Sequence, residues 1–356
     1  MGVKRMGQME EIYDVTIIGG GPAGLYSAFY SGLRGMKTKI IEYQPNLGGK
    51  LHVYPEKMIW DVGGHKPLAS EQLIEQLIEQ GLTFQPTVVL GEKVETITRT
   101  EDALFKLTTL KGEEHFSKTV IVAVGSGILN PQKLEIEGAE RFEVSNLNYT
   151  IKSLQRFKDK VVLISGGGNS AVDWANELQQ VAKKVYVSYR KENLPAHESQ
   201  VEQLLSSDAM IFCNTSITKL LADDSHKDLI KTVELTNNKT KESINIDVDA
   251  VIISHGFEHD SSLLSNSAID VQLVDDFYIK GNSFGESSVP GLFAAGDIMS
   301  YDGKVHLIAG AFQDAVNAVN RAKTYIEPSA NAFGMVSSHN EIFKERNREI
   351  IQHMMH

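Results

Sequence analysis

The sequence predicts an α/β fold of two similar halves, each a parallel sheet with helices and a small antiparallel sheet. Three observations carry that reading. Two apolar runs, Val15-Thr-Ile-Ile18 and Val161-Val-Leu-Ile-Ser165, end in the glycine-rich turns Gly19-Gly-Gly21-Pro-Ala-Gly24 and Gly166-Gly-Gly168-Asn-Ser-Ala171. Each turn opens a helical pattern that leads to a second apolar run. In both halves, short alternating segments then precede an apolar strand ending in glycine, at Thr119–Val124 and Ala250–Ser254. At 356 residues the chain has room for two cores.

The first turn has the spacing of a dinucleotide fingerprint. Gly19 permits the tight turn, Gly21 lets the backbone approach a pyrophosphate, and Gly24 lets the helix pack on the strand. The helix over 23–33 then aims its N-terminal N–H groups, including that of Ala23, at phosphates. The next strand, Thr38-Lys-Ile-Ile41, ends in Glu42, where a carboxylate accepts hydrogen bonds from a ribose diol and repels a 2′-phosphate. A glycine turn alone can be purely structural; strand, helix and Glu42 in register favour a bound nucleotide. Beyond it, Gly48 and Gly49 let a loop pass close to an extended cofactor, and Tyr54 either stacks on a ring system or packs as an aromatic before proline.

The second turn repeats the pattern with Ala171 in third place. Its helix is expected over 170–181, and the strand Val185-Tyr-Val-Ser188 leads to Tyr189-Arg190-Lys191. Two cations where the first half has a carboxylate favour a 2′-phosphate, hence NADP(H) over NAD(H); a solvated charge pair is the alternative.

Residues 84–122 alternate in short runs and predict a small antiparallel sheet inserted in the first half. Gly125 to Gly127 and Gly281 to Ser288 are expected hinges. The run Val289-Pro-Gly-Leu-Phe-Ala-Ala-Gly296-Asp297 places a carboxylate at a strand end, and an alanine-rich helix is expected over 311–325. Cys213, the one cysteine, is expected in a buried strand; a dithiol pair and a multi-thiolate metal or iron–sulfur site are excluded.

A net charge of −11 argues against nucleic-acid binding. No apolar run reaches the roughly 20 residues needed to span a bilayer. Residues 1–11 lack the apolar core of a signal peptide, so a cytoplasmic location is expected.

Taken together, these pieces resemble the two-dinucleotide-binding flavoprotein superfamily and, within it, the thioredoxin reductase-like group. The closer likeness is to bacterial ferredoxin–NADP reductases of that type. It rests on Leu47-Gly-Gly-Lys-Leu with Tyr54-Pro-Glu-Lys57, Trp60-Asp-Val-Gly-Gly64, and Gly303-Lys-Val-His-Leu-Ile-Ala309. The Cys-x-x-Cys of thioredoxin reductases is absent; that stretch reads Glu143-Val-Ser-Asn-Leu-Asn-Tyr149.

The resemblance implies two Rossmann-like domains: a discontinuous FAD-binding domain (1–127 and 286–356) and an NADP-binding domain (128–285). It implies FAD contacts at Gly19, Gly21, Pro22, Ala23, Gly24, Glu42, Gly49, Lys50, Val94, Leu129 and Ser338. It also implies that Tyr54 stacks on the isoalloxazine and that Asp297 holds the ribityl chain. The NADP contacts are Gly166, Gly168, Asn169, Ser170, Ala171, Arg190 and Lys191. The implied activity is hydride transfer from NADPH to FAD, then single electrons to ferredoxin or flavodoxin, in a homodimer whose domains rotate. An NADPH-dependent quinone or free-flavin reductase, or a redox sensor of little turnover, are the alternatives.

Two departures stand out. The family's second arginine after the strand is Lys191 and its third is Pro195, which thins the phosphate clamp. The family's tail motif reads Ser337-Ser-His-Asn340. His197 invites a role as base, but that motif places it at the NADP phosphate end in a positioning role.

Overall fold

The computed structural model describes residues 11–127, 130–257 and 260–354. They form two compact units: the first gathers 11–52, 57–127 and 260–354, the second 53–56 and 130–257.

The first unit is built on a seven-stranded sheet. Its strands are β1 (Ile12–Ile18), β2 (Thr38–Glu42), β3 (Thr87–Leu90), β4 (Val94–Arg99), β5 (Phe105–Thr109) and β6 (Glu114–Val122), with Leu292–Ala294 beside β6. The path is β3-β2-β1-β6, parallel throughout. β6 joins the parallel and antiparallel parts of this one sheet. Its last residues, Val120 to Val122, pair in parallel with Leu292 to Ala294, and its first residues pair antiparallel with β5, which turns back into β4. The alternating segments over 84–122 therefore extend the main sheet instead of making a separate one. β3 lies at the far edge, paired in parallel with β2.

Helices α1 (Pro22–Leu33) and α2 (Ser70–Gly81) pack on each other, and α1 also packs on the helix Ile308–Ile326. Pro22 at the first position suits α1, since a missing N–H costs nothing there. Leu73, Ile74 and Leu77 recur at helical spacing and form the buried stripe of α2. The long helix buries Ala311, Ala315, Ala318 and Ala322, a stripe of small residues that lets backbones approach.

The second unit repeats the plan. β7 (Val161–Ser165), β8 (Lys184–Tyr189), β9 (Met210–Cys213) and β13 (Ala250–Ile253) lie in the order β9-β8-β7-β13, again all parallel. The two-residue strand Leu147–Asn148 adds to β13. Strands β10 (Thr215–Ala222), β11 (Ile230–Asn237) and β12 (Ser243–Asp247) form the antiparallel sheet, and α3 (Asn169–Leu178) and α4 (Glu198–Leu205) complete the unit.

The structure departs from expectation in three further places. Residues 260–285, expected in the NADP-binding domain, belong to the first unit. Leu263, Phe277 and Ile279 are buried in one core with Ile18, Ile41 and Val122, and the Ile97 amide donates to Ser267 Oγ at 2.7 Å. The expected hinge over 281–288 consequently lies inside that unit, where the Gly281 amide donates to the Ser300 carbonyl at 3.0 Å. Cys213 ends β9, an edge strand, and is only half-buried; desolvation holds its thiol above the usual range.

Ile121 is fully buried in β6, between β1 and Leu292–Ala294. Ile121→Ala should cost about 2–5 kcal/mol, read as an earlier transition in urea unfolding followed by circular dichroism.

Candidate functional site

Both glycine turns are closed by the same three contacts. The amide of the first glycine donates to the second strand: Gly19 to the Ile41 carbonyl and Gly166 to the Ser188 carbonyl, each 2.9 Å. The residue after the third strand donates back to the first: Ala123 to Ile18 and Ser254 to Ser165, each 2.8 Å. That residue's carbonyl then sits where a side chain on the glycine would be. A Cβ on Gly19 would collide with the Ala123 oxygen, and one on Gly166 with the Ser254 oxygen. Gly24 is bound as tightly, since its Cβ would strike the Gly19 carbonyl, whereas Ala171 in the second turn is accommodated.

The middle glycines face the other way. Gly168 has nothing within 4 Å of its would-be Cβ, and Gly21 meets only the Gly49 Cα at 3.7 Å. Both cap their helices in extended conformation without any side-chain cap. Among the described residues, the N–H groups of Ala23 and Gly24 in one turn, and of Asn169, Ser170 and Ala171 in the other, meet no backbone acceptor. Free donors, a helix dipole and an open approach make an anion site. The turns thus fit two nucleotide phosphates.

Beside the first turn, the Glu42 carboxyl is buried and held from two sides. Oε2 accepts the Gly20 N–H at 2.5 Å and Oε1 accepts the Gln44 N–H at 2.7 Å. Burial raises its pKa, while those amides work in the opposite sense. Beside the second turn the corresponding place holds an aromatic ring: a Cβ on Gly167 would run into Tyr189. Arg190 and Lys191 follow, both exposed. Asn169 Oδ1 accepts the His197 backbone N–H at 2.9 Å, so His197 is tied to the turn through its main chain.

Gly49 and Lys50 begin the short helical turn Gly49–Val53. The Gly48 amide donates to the Gly20 carbonyl at 2.8 Å, and a Cβ on Gly49 would lie 2.8 Å from the Gly21 Cα. The loop thereby brings Gly49 to the first turn, as its glycines predict. Tyr54 lies in 53–56, which groups with the second unit, where Glu56 accepts the Leu154 N–H at 3.1 Å. The Val94 side chain is buried in the core with Ile18 and Ile41. Leu129 lies outside the described residues, and Ser338 lies in the short turn Ser337–His339.

Asp297 follows Gly296, with His306 Nδ1 3.6 Å from its carboxylate. What fixes that turn is a residue the motifs did not single out. Asp314, 1% exposed, accepts the Gly296 N–H (3.0 Å) and the Lys304 ammonium (2.7 Å) on one oxygen, and the Tyr301 hydroxyl (2.7 Å) on the other. Burial and this carboxylate push the Tyr301 hydroxyl up to about 12. The signal was present in the sequence: Asp314 falls on the same helical stripe as Ala311, Ala315 and Ala318, a charge among alanines.

Among the described residues, no cluster of His, Cys, Asp and Glu could hold a metal ion, and no helix is long and apolar enough to cross a membrane.

Comparison with known proteins agrees with this geometry. The pyridine nucleotide-disulphide oxidoreductase family matches residues 13–322. Ferredoxin–NADP reductase 1 of Bacillus mycoides is 69% identical over 346 residues, covering 97% of this chain and 99% of the relative. Ferredoxin–NADP reductase 2 of Exiguobacterium sibiricum is 66% identical, covering 98% and 99%. The crystal structure of Lactococcus lactis thioredoxin reductase superposes with a TM-score of 0.74 at 25% identity, covering 88% of this chain and 99% of that one. Fold and matched family define the class, an oxidoreductase that uses a flavin and a pyridine nucleotide. Within that class, the chain belongs to the ferredoxin–NADP reductase family.

Lys304 and Asp314 form a dry ion pair, with side chains 4% and 1% exposed. Asp314→Ala should cost about 3–5 kcal/mol by leaving the ammonium buried and unpaired. Thermal unfolding should show that loss, with weaker flavin retention on gel filtration because the Gly296 turn loses its anchor.

Proposed function

We propose that the first unit holds FAD throughout turnover and that the second takes NADPH transiently, in a ferredoxin- or flavodoxin-reducing cycle. When bound, FAD would supply the hydride acceptor for NADPH and would release the two electrons one at a time, the proton going to solvent. No acid, base or nucleophile is then asked of the chain, whose residues bind, orient and discriminate.

The observation that carries this reading is the exchange of Glu42 for Tyr189 beneath two otherwise matching turns. In the first turn, the carboxylate of Glu42 accepts from a ribose diol and repels an additional phosphate. In the second, an uncharged ring stands in place of the carboxylate, and Arg190 and Lys191 beyond it offer a 2′-phosphate two cations. Gly21, Ala23 and Gly24 in one unit, and Gly168, Asn169, Ser170 and Ala171 in the other, offer main-chain donors to the pyrophosphates, while Pro22, which has no N–H, starts the first helix and Gly166, whose N–H is held by the Ser188 carbonyl, shapes the second turn. Gly49 and Lys50 lie along the first turn, and Asp297 stands at the strand end to hold the ribityl chain. Tyr54 covering the isoalloxazine, Val94 and Leu129 as flavin contacts and Ser338 in the flavin-covering tail rest on the resemblance. So do the homodimer and the cytoplasmic location.

Anaerobic mixing of the holoenzyme with NADPH should bleach the flavin band within seconds. Ferredoxin or flavodoxin should then be reduced in preference to a quinone or free flavin; a quinone reduced better than either protein would overturn the acceptor assignment. Replacing Arg190 and Lys191 together by alanine should raise KM for NADPH by roughly ten- to a hundredfold, the worth of one or two charged hydrogen bonds. KM for NADH should barely move.

A further inference from the structure

Three strand ends of the second unit meet at one corner. Ser165 closes β7, Arg190 follows β8, and His255 follows β13 through Ser254. The Ser254 amide donates to the Ser165 carbonyl at 2.8 Å, which sets two of those ends side by side. The side chains then meet: Ser165 Oγ lies 2.9 Å from His255 Nε2. The imidazole lies at the surface, and among the described residues its Nδ1 has no hydrogen-bond partner. Partial desolvation holds the ring below the usual histidine range, and Arg190, the one charge that acts on it among the described residues, adds to that in the same direction.

The fold does not require this pair. In the first unit the matching contacts place Ile18 where Ser165 stands and Val124 where His255 stands. Both of those residues pack into the apolar core. The second unit has exchanged two apolar residues for a hydroxyl and an imidazole, at the strand ends where ligands collect in open parallel sheets.

We propose that His255 is a specificity-determining residue for the pyridine nucleotide: it takes up a proton from water when a 2′-phosphate binds beside Arg190, and so makes selection of NADP(H) over NAD(H) proton-linked. The proposal rests on the reading that the second unit takes NADP(H) with Arg190 at its phosphate end. The chemistry is simple. A phosphate dianion offsets the Arg190 charge and adds an opposite one, and both changes favour the imidazolium. Ser165 can accept from the protonated Nε2, which leaves the Nδ1 proton for the anion. His255 thus supplies the cation that Lys191 and Pro195 leave short.

The sign follows from the direction of the shift. The free enzyme holds His255 below its usual range, and the bound phosphate raises it. The gain in NADP⁺ affinity is therefore full below the free-state value and is lost as pH rises through the bound-state value. The test is NADP⁺ and NAD⁺ binding to the oxidised holoenzyme by calorimetry, over about pH 5.5 to 8.5. The affinity ratio of NADP⁺ to NAD⁺ should fall with pH, about tenfold for each unit by which binding raises the histidine. Titration of the 2′-phosphate itself, near pH 6, affects all proteins equally, so the difference between wild type and His255→Gln isolates the histidine. Wild type should also take up a fraction of a proton per NADP⁺ at pH 7, seen in two buffers of different ionisation enthalpy, and His255→Gln and His255→Asn should take up less.

An unchanged pH profile and proton uptake in both variants overturn the proposal, as does an equal loss of NADP⁺ and NAD⁺. Arg190→Ala separates the two readings. If it leaves NADP⁺ affinity intact, the phosphate assignment itself fails. If it weakens NADP⁺ selectively while the His255 variants behave as wild type, only the role of the histidine fails.

Discussion

The constraint on which both units depend is steric. A strand-end carbonyl lies where a side chain would be on the first glycine of each turn, Ala123 over Gly19 and Ser254 over Gly166. Any Cβ there would push the turn off the neighbouring strand and break the amide contacts that hold three strand ends in register. Those contacts fix where each helix begins and so where its unpaired N–H groups point. The apolar strands supply the stability, but this close approach converts a sheet edge into an anion site.

Because the frame is the same twice, differences between the two units report function. Glu42 binds the turn it serves, with both oxygens on main-chain amides, and its buried carboxyl is a fixed part of the first site. Tyr189 fills the same place without charge, and the cations follow it at the surface. A buried, preorganised acceptor suits a ligand that stays; exposed cations suit one that comes and goes. Asp314 adds to the contrast. A dry ion pair is a costly way to hold one glycine amide, and the cost is sensible where the Gly296-Asp297 turn must not move.

Much of this was legible in the sequence because it is local. Strand, glycine turn and helix lie within a few residues, so Pro22–Leu33 and Asn169–Leu178 are found close to where the turns predict them. What was not legible depends on long-range pairing. The alternating strands over 84–122 give no sign that β6 also pairs with Leu292–Ala294, far along the chain. That same partnership draws residues 260–285 into the first core, where the sequence placed them in the other unit. Val94 was assigned by resemblance, and its burial in the core with Ile18 and Ile41 depends on the same long-range pairing. Asp314 and His255 were readable in principle, one as a charge on an apolar stripe and the other as a break in an internal repeat. Both become visible only once helix phase or repeat register is taken literally.

The lone cysteine completes the argument about electron flow. Its fold neighbours include thioredoxin reductases, but Cys213 has no second cysteine anywhere in the chain and ends an edge strand of the second unit. A two-thiol relay needs a pair that can close at disulfide distance, and one sulfur cannot supply it. Desolvation also holds this thiol above its usual range, away from the thiolate that such chemistry requires. Electrons that enter from NADPH therefore have no protein-borne stop beyond the flavin. A carrier that takes the electrons must therefore do so without a dithiol relay in this chain.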